Sequence, residues 1–149
     1  MPAVKRRTLL QALPAAAFLP ASVRAAAQQD TASSTQTPEA VYELRVYHAL
    51  PGKLGDLLAR FRDHTTKLFE RHGIKNVAYW TPLEEPEKSN TLIYILQHPS
   101  REAATANWKS FQDDAEWKSV RDKSEANGKL VEKIDSTYLV LTDFSPPVR

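Results

Sequence analysis

The sequence predicts an α+β domain, a four-stranded antiparallel sheet with helices packed on it. Two observations carry that prediction. The hydrophobic period alternates between about 2 and about 3.6 residues, in the order βαββαβ. The 149 residues, 42% hydrophobic and 26% charged, suffice for one core and leave little room for a second.

Residues 1–27 read as an export signal. Lys5, Arg6 and Arg7 precede an uncharged run from Thr8 to Val23, and the small residues Ala25-Ala26-Ala27 follow Arg24. That run is shorter than the roughly 20 apolar residues of a comfortable membrane span. Pro14 and Pro20 also interrupt it. Arg6-Arg7 followed by Thr-Leu-Leu-Gln resembles a twin-arginine motif. That resemblance implies the twin-arginine export machinery as a partner of the precursor. Cleavage after Ala27 would leave a periplasmic or otherwise exported bacterial protein with no membrane span in its mature form. Residues 28–38 are a polar linker rich in Thr, Ser and Gln, and the domain occupies 39–149.

The formal charge of +2 belongs to the leader. Without Lys5, Arg6, Arg7 and Arg24 the chain keeps 16 basic against 18 acidic residues, a net of −2. No basic stripe remains to neutralise phosphates, so nucleic acid is not an expected partner. The lack of cysteine excludes a disulfide, a thiol nucleophile and a thiolate zinc site.

Within the domain, residues 41–48 alternate and are rich in β-formers, so they form a strand that Pro51-Gly52 ends. Leu54, Leu57, Leu58, Phe61, Leu68 and Phe69 follow at helical spacing. One long helix is expected there, with Arg60, Arg62, Asp63, Lys67 and Glu70 on its wet side and Gly73 as its C-cap. Residues 74–81 form a second strand stopped by Pro82, and residues 84–90 a charged turn. Residues 91–98 are almost continuously apolar, which predicts a strand buried on both faces. Ser100 caps a helix carrying Ala104, Trp108 and Phe111, and Asp113-Asp114 starts another with Trp117 and Val120 inward. The last strand lies within residues 130–141. This order is the ferredoxin-like arrangement.

A sheet covered by helices on one side leaves its other side open. The third strand places Leu92, Tyr94 and Leu96 on one face and Ile93 and Ile95 on the other, so neither suits water. A homodimer with two sheets face to face is the expected remedy.

Several stretches together resemble the NIPSNAP family. They are Val41-Tyr42-Glu43-Leu44-Arg45-Val46-Tyr47 with Pro51-Gly52-Lys53-Leu54, and Leu68-Phe69-Glu70-Arg71-His72-Gly73 with Val77-Ala78-Tyr79-Trp80-Thr81. Pro99-Ser100-Arg101-Glu102-Ala103, Asp114-Ala115-Glu116-Trp117 and Thr142-Asp143-Phe144-Ser145-Pro146 continue the match, which spans residues 41–147. The resemblance implies a dimeric α+β barrel, related in fold to small monooxygenases and haem-binding barrels. It implies no single reaction.

No nucleophile elbow, phosphate loop, dinucleotide fingerprint or zinc motif occurs, and His48, His64, His72 and His98 lack metal-ligand spacing. The first strand is the informative one. Glu43, Arg45 and Tyr47 share a face, opposite Tyr42, Leu44, Val46 and His48. If the apolar set packs under the helices, the polar set points into a cavity between two sheets, which Asn76 and Trp80 would also line. Glu43–Arg45 is then either an ion pair across a dimer interface, or a ligand-orienting arginine with Tyr47 as its hydrogen-bond partner. The expected function is an exported small-molecule-binding barrel, with cofactor-independent monooxygenation of an aromatic or polyketide-like compound as its enzymatic form. The ligand would be small and apolar or anionic, with no metal and no required cofactor. The alternatives are a non-enzymatic haem- or hydrophobic-ligand-binding protein, and a structural or interaction dimer.

Overall fold

A computed structural model describes residues 40–148. The leader with Arg6-Arg7, the cleavage at Ala27 and the linker at 28–38 lie outside the described residues.

Strands β1 (Val41–Ala49), β2 (Lys75–Trp80), β3 (Thr91–His98) and β4 (Val131–Leu139) form one antiparallel sheet in the order β2-β3-β1-β4. The most apolar strand, β3, takes a central place beside β1. The edge strand β4 carries Glu132, Lys133 and Asp135, charges that discourage edge-to-edge pairing. This is the α+β, ferredoxin-like architecture that the periodicity predicts.

The expected first helix is present with one interruption. It runs as α1 (Leu54–Arg60), a π-helical turn (Phe61–Thr65) and α2 (Thr66–Arg71). The Thr66 N–H donates to the Phe61 carbonyl five residues back, and the Thr65 hydroxyl donates to the Arg60 carbonyl at 3.2 Å. Gly73 then turns the chain at a φ of +73°, where a side chain would also meet the Asn107 amide. The second helical region is α3 (Arg101–Asp113) and α4 (Ala115–Ser124), broken at extended Asp114. Ser100 caps α3 by accepting from the Ala103 N–H, and Asp114 caps α4 by accepting from Glu116 and Trp117. Among the described residues no helix is long and apolar enough to cross a membrane.

The helices cover the face bearing Leu92, Tyr94 and Leu96, which are buried with Leu57, Phe69 and Ile74. Each such side chain contributes roughly 1.5–3 kcal/mol of burial. Strand register then settles the faces of β1. Glu43, Arg45 and Tyr47 pair with Leu96, Tyr94 and Leu92, so they lie under the helices too. Tyr42, Leu44, Val46 and His48 share the open face with Ile93 and Ile95. The sequence expectation had these faces reversed. The reason is that the polar set finds its hydrogen-bond partners inside the domain, while the apolar set forms a continuous apolar surface on the open side.

Candidate functional site

Glu43 is fully buried in the middle of β1. Its Oε1 accepts from Arg45 Nη1 at 2.6 Å and from Ser136 Oγ at 2.7 Å. Its Oε2 accepts from Trp108 Nε1 at 2.7 Å and lies 3.1 Å from His98 Nε2. The strands supply Arg45, His98 and Ser136, and α3 supplies Trp108. A carboxylate has about four lone-pair sites, and here all are engaged. Burial pushes the carboxyl up, but the bonds from His98, Ser136, Trp108 and Arg45 outweigh it and hold the group down at about 2. Since an ionised carboxylate only accepts, His98 Nε2 carries the shared proton. His98 Nδ1 is buried without a partner among the described residues.

Arg45 passes the order outward. Its guanidinium stacks on Trp108 at 4.4 Å from the ring centre, and its Nη2 donates to the Tyr47 hydroxyl at 3.3 Å. Burial disfavours its charge, yet Tyr47, Tyr94 and Glu43 hold it firmly protonated. Tyr47 in turn packs edge-on to Phe61 at 5.6 Å and beside Tyr94 at 5.3 Å. The Tyr94 hydroxyl is wholly buried with no hydrogen-bond partner among the described residues, and burial pushes its phenol well up.

Tyr47 forms part of the wall of a pocket of about 170 Å³ between the sheet and the helices. The π-helical turn contributes Phe61 and Thr65, the helices Phe69, Phe111 and Trp117, and β4 Val131 and Ile134. Three charged residues share the wall, Arg60, Arg121 and Glu125. Arg60 is 6% exposed, which corrects its expected place on the wet side of the helix. Its stem is buried because its Nη1 reaches α4 and the residue beyond it, donating to Ser124 Oγ at 3.2 Å and Glu125 Oε1 at 3.1 Å. A more open polar groove of about 490 Å³ adjoins at Arg60, between α1 and α4, with Asp56, Asp63, His64 and Lys123 on its walls.

The structure brings Glu43, Arg45 and Tyr47 together but leaves Asn76 and Trp80 apart from them. Asn76 faces the helices, where its amide donates to the Thr66 carbonyl at 2.9 Å and Glu70 Oε1 at 3.1 Å, and it accepts from the Tyr79 hydroxyl. It fastens β2 to α2. Trp80 pairs with Ile93 and is on the open face, 49% exposed. Sequence reasoning missed Phe61, Thr65, Trp117 and the two arginines as pocket residues. Phe111 and Trp117 share helical stripes, a signal that reads equally well as core.

The histidines are spread out. His72 bonds Ser110 and Asp114, His48 lies 3.0 Å from Asp135 on the open face, and His64 lines the groove. Among the described residues no three His, Cys, Asp or Glu side chains could together hold a metal ion. The pocket of about 170 Å³ is below the roughly 300 Å³ that a drug-sized ligand needs, and the buried His98 is committed to Glu43.

Comparison with known proteins bears on the fold and the family. No curated protein matches the chain. Among solved structures, an uncharacterized NIPSNAP-like domain protein from Burkholderia xenovorans is similar at 16% identity, with a TM-score of 0.64 over 75% of this chain and 93% of that one. A NIPSNAP family protein from Agrobacterium tumefaciens is similar at 20% identity, with a TM-score of 0.63 over 72% of this chain and 97% of that one. Identities this low speak for the fold alone. The NIPSNAP family itself matches residues 42–146, nearly the whole described domain. The chain belongs to the NIPSNAP family.

Proposed function

We propose that this protein is an exported homodimer that binds a small molecule in the pocket between its sheet and its helices. The observation that carries the reading is the pocket itself, a recess of about 170 Å³ walled by Tyr47, Phe61, Phe69, Phe111 and Trp117. A cavity of about 150 Å³ takes one benzene-sized guest, so the ligand has one ring rather than several. Glu43 and Arg45 act by holding Tyr47 in place. The geometry supports binding further than catalysis. A cofactor-independent monooxygenase needs a base at the reacting atom, and Glu43 has no lone pair left to serve as one.

Dimerisation is supported by the open face, where Leu44, Val46, Ile93 and Ile95 are only partly covered. At one end of that face Tyr42, Ile95, Leu139, Val140, Leu141 and Val148 enclose an apolar recess of about 200 Å³. A second copy supplies a matching apolar surface by symmetry. Export is supported by the Arg6-Arg7 leader alone.

Native mass spectrometry of protein recovered from the periplasm tests the whole reading. The expected mass is that of a dimer whose chains begin near Gln28, with a small adduct that gentle denaturation releases. A monomer would remove the dimer. Full-length chains confined to the cytoplasm would remove export. Protein without any adduct, and unresponsive to one-ring compounds, would remove the binding function.

A further inference from the structure

The charged groups on the pocket wall narrow the ligand class, an inference that rests on the binding reading above. We infer that the ligand is a monocyclic aromatic carboxylate, its ring among Phe61, Phe111 and Trp117 and its carboxylate on Arg60.

Arg60 is the key observation. It is 6% exposed and lines both the pocket and the adjoining groove. Among the described residues its Nη1 alone has acceptors, Ser124 and Glu125, while the guanidinium also lies 5.4 Å from the centre of the Trp117 ring. Buried donors are paired in the great majority of cases, so a guanidinium on a pocket wall with donors to spare marks where an acceptor can sit. A carboxylate suits the guanidinium because two parallel N–H groups of the fork meet two oxygens. Charge points the same way. The wall presents Arg60 and Arg121 against Glu125, so a cationic ring would face two guanidinium groups and a dianion would be repelled by Glu125. A neutral ring would leave the spare guanidinium donors of Arg60 without an acceptor. Size sets the remaining limit, because a cavity of about 170 Å³ holds one ring. Arg121 is held from outside by Asp122, at 2.9 and 3.1 Å, and supplies a second positive charge at the rim.

Benzoate, benzyl alcohol and acetate separate ring from charge, and the fluorescence of Trp117 reports occupancy. Titration of the native dimer should show benzoate binding at least about tenfold more tightly than benzyl alcohol, the scale of one charge-assisted hydrogen bond, with acetate weaker than either. Arg60→Lys keeps the charge but loses the fork, and should abolish the preference for benzoate. Since Arg60 also ties α1 to Ser124 and Glu125, a thermal melt must accompany that variant. Glu125→Gln leaves Arg60 in place and removes its competing carboxylate, so benzoate should tighten while benzyl alcohol does not move. Equal binding of benzoate and benzyl alcohol, or a Glu125→Gln variant indifferent to benzoate, would overturn the carboxylate assignment and leave the ring pocket standing. Failure of all three probes to change a signal that Trp117→Phe removes would overturn the binding reading as well.

Discussion

At Glu43 the alternation of β1 identifies the residue and its companions, yet says nothing about the side of the sheet they occupy. Period-2 spacing groups Glu43, Arg45 and Tyr47 on a face, and the structure keeps that grouping. Which face the helices cover depends on donors contributed from elsewhere, Trp108 on α3 and Ser136 on β4, and no local pattern announces those. Arg60 was misread for a similar reason, because its partners Ser124 and Glu125 lie more than sixty positions along the chain. The saturated carboxylate has a pH signature. In the unfolded chain Glu43 takes up a proton near 4.5, whereas in the folded protein it does so only near 2. Its stabilising contribution is therefore complete above pH 4.5 and is lost as pH falls from there to about 2. That loss is on the order of 3 kcal/mol. Denaturant melts across this range should show it, and Glu43→Gln should flatten that acid limb. Arg45→Met should cost roughly 3–5 kcal/mol, because a buried charge loses its partner. Adding Glu43→Gln to it should restore part of the loss. Simple additivity of the two single changes would remove the coupling on which the positioning of Tyr47 depends.

At the scale of elements, every strand and helix is legible except the π-helical turn. The stripe Leu54, Leu57, Leu58, Phe61, Leu68, Phe69 has a gap of seven positions after Phe61. A straight α-helix spans that gap without visible conflict, since one inserted residue shifts the later stripe by only about 100°. Of the six polar residues in the gap Thr65 is the buried one, 1% exposed, and its hydroxyl satisfies the Arg60 carbonyl. The sequence carries no trace of the turn there, because the burial of Thr65 depends on the fold. The turn places Phe61 and Thr65 on the pocket wall directly beside Arg60. Thr65→Val keeps the shape and removes the donor, so it should cost about 1–2 kcal/mol in urea unfolding. It should also weaken the binding of one-ring ligands, because the wall loses the bond that fixes it. If stability and binding are both unchanged, the hydroxyl does not hold the turn.

For the whole molecule, the order βαββαβ and the two apolar faces of β3 could be read directly, because each depends only on period. What covers the open face could not, since period assigns a face without naming its partner. The structure shows why a partner is needed. Leu44, Val46, Ile93 and Ile95 run across the two central strands on the side away from the helices, and Trp80 beside Ile93 is half exposed. Tyr94, one residue along from Ile93, is buried under the helices. This neighbouring pair makes a discriminating experiment. Each large apolar side chain withdrawn from water contributes roughly 1.5–3 kcal/mol, so four per subunit can hold a dimer at micromolar concentration. Ile93→Lys places a charge in the middle of that surface and should raise the dissociation constant by at least about a hundredfold while the monomer keeps its circular dichroism. Tyr94→Lys should instead prevent folding, because its site is within the core of one subunit. Sedimentation of the native protein and both variants decides the matter. A native monomer at micromolar concentration, or an Ile93→Lys variant that still dimerises, would mean that something other than a second copy covers the open face.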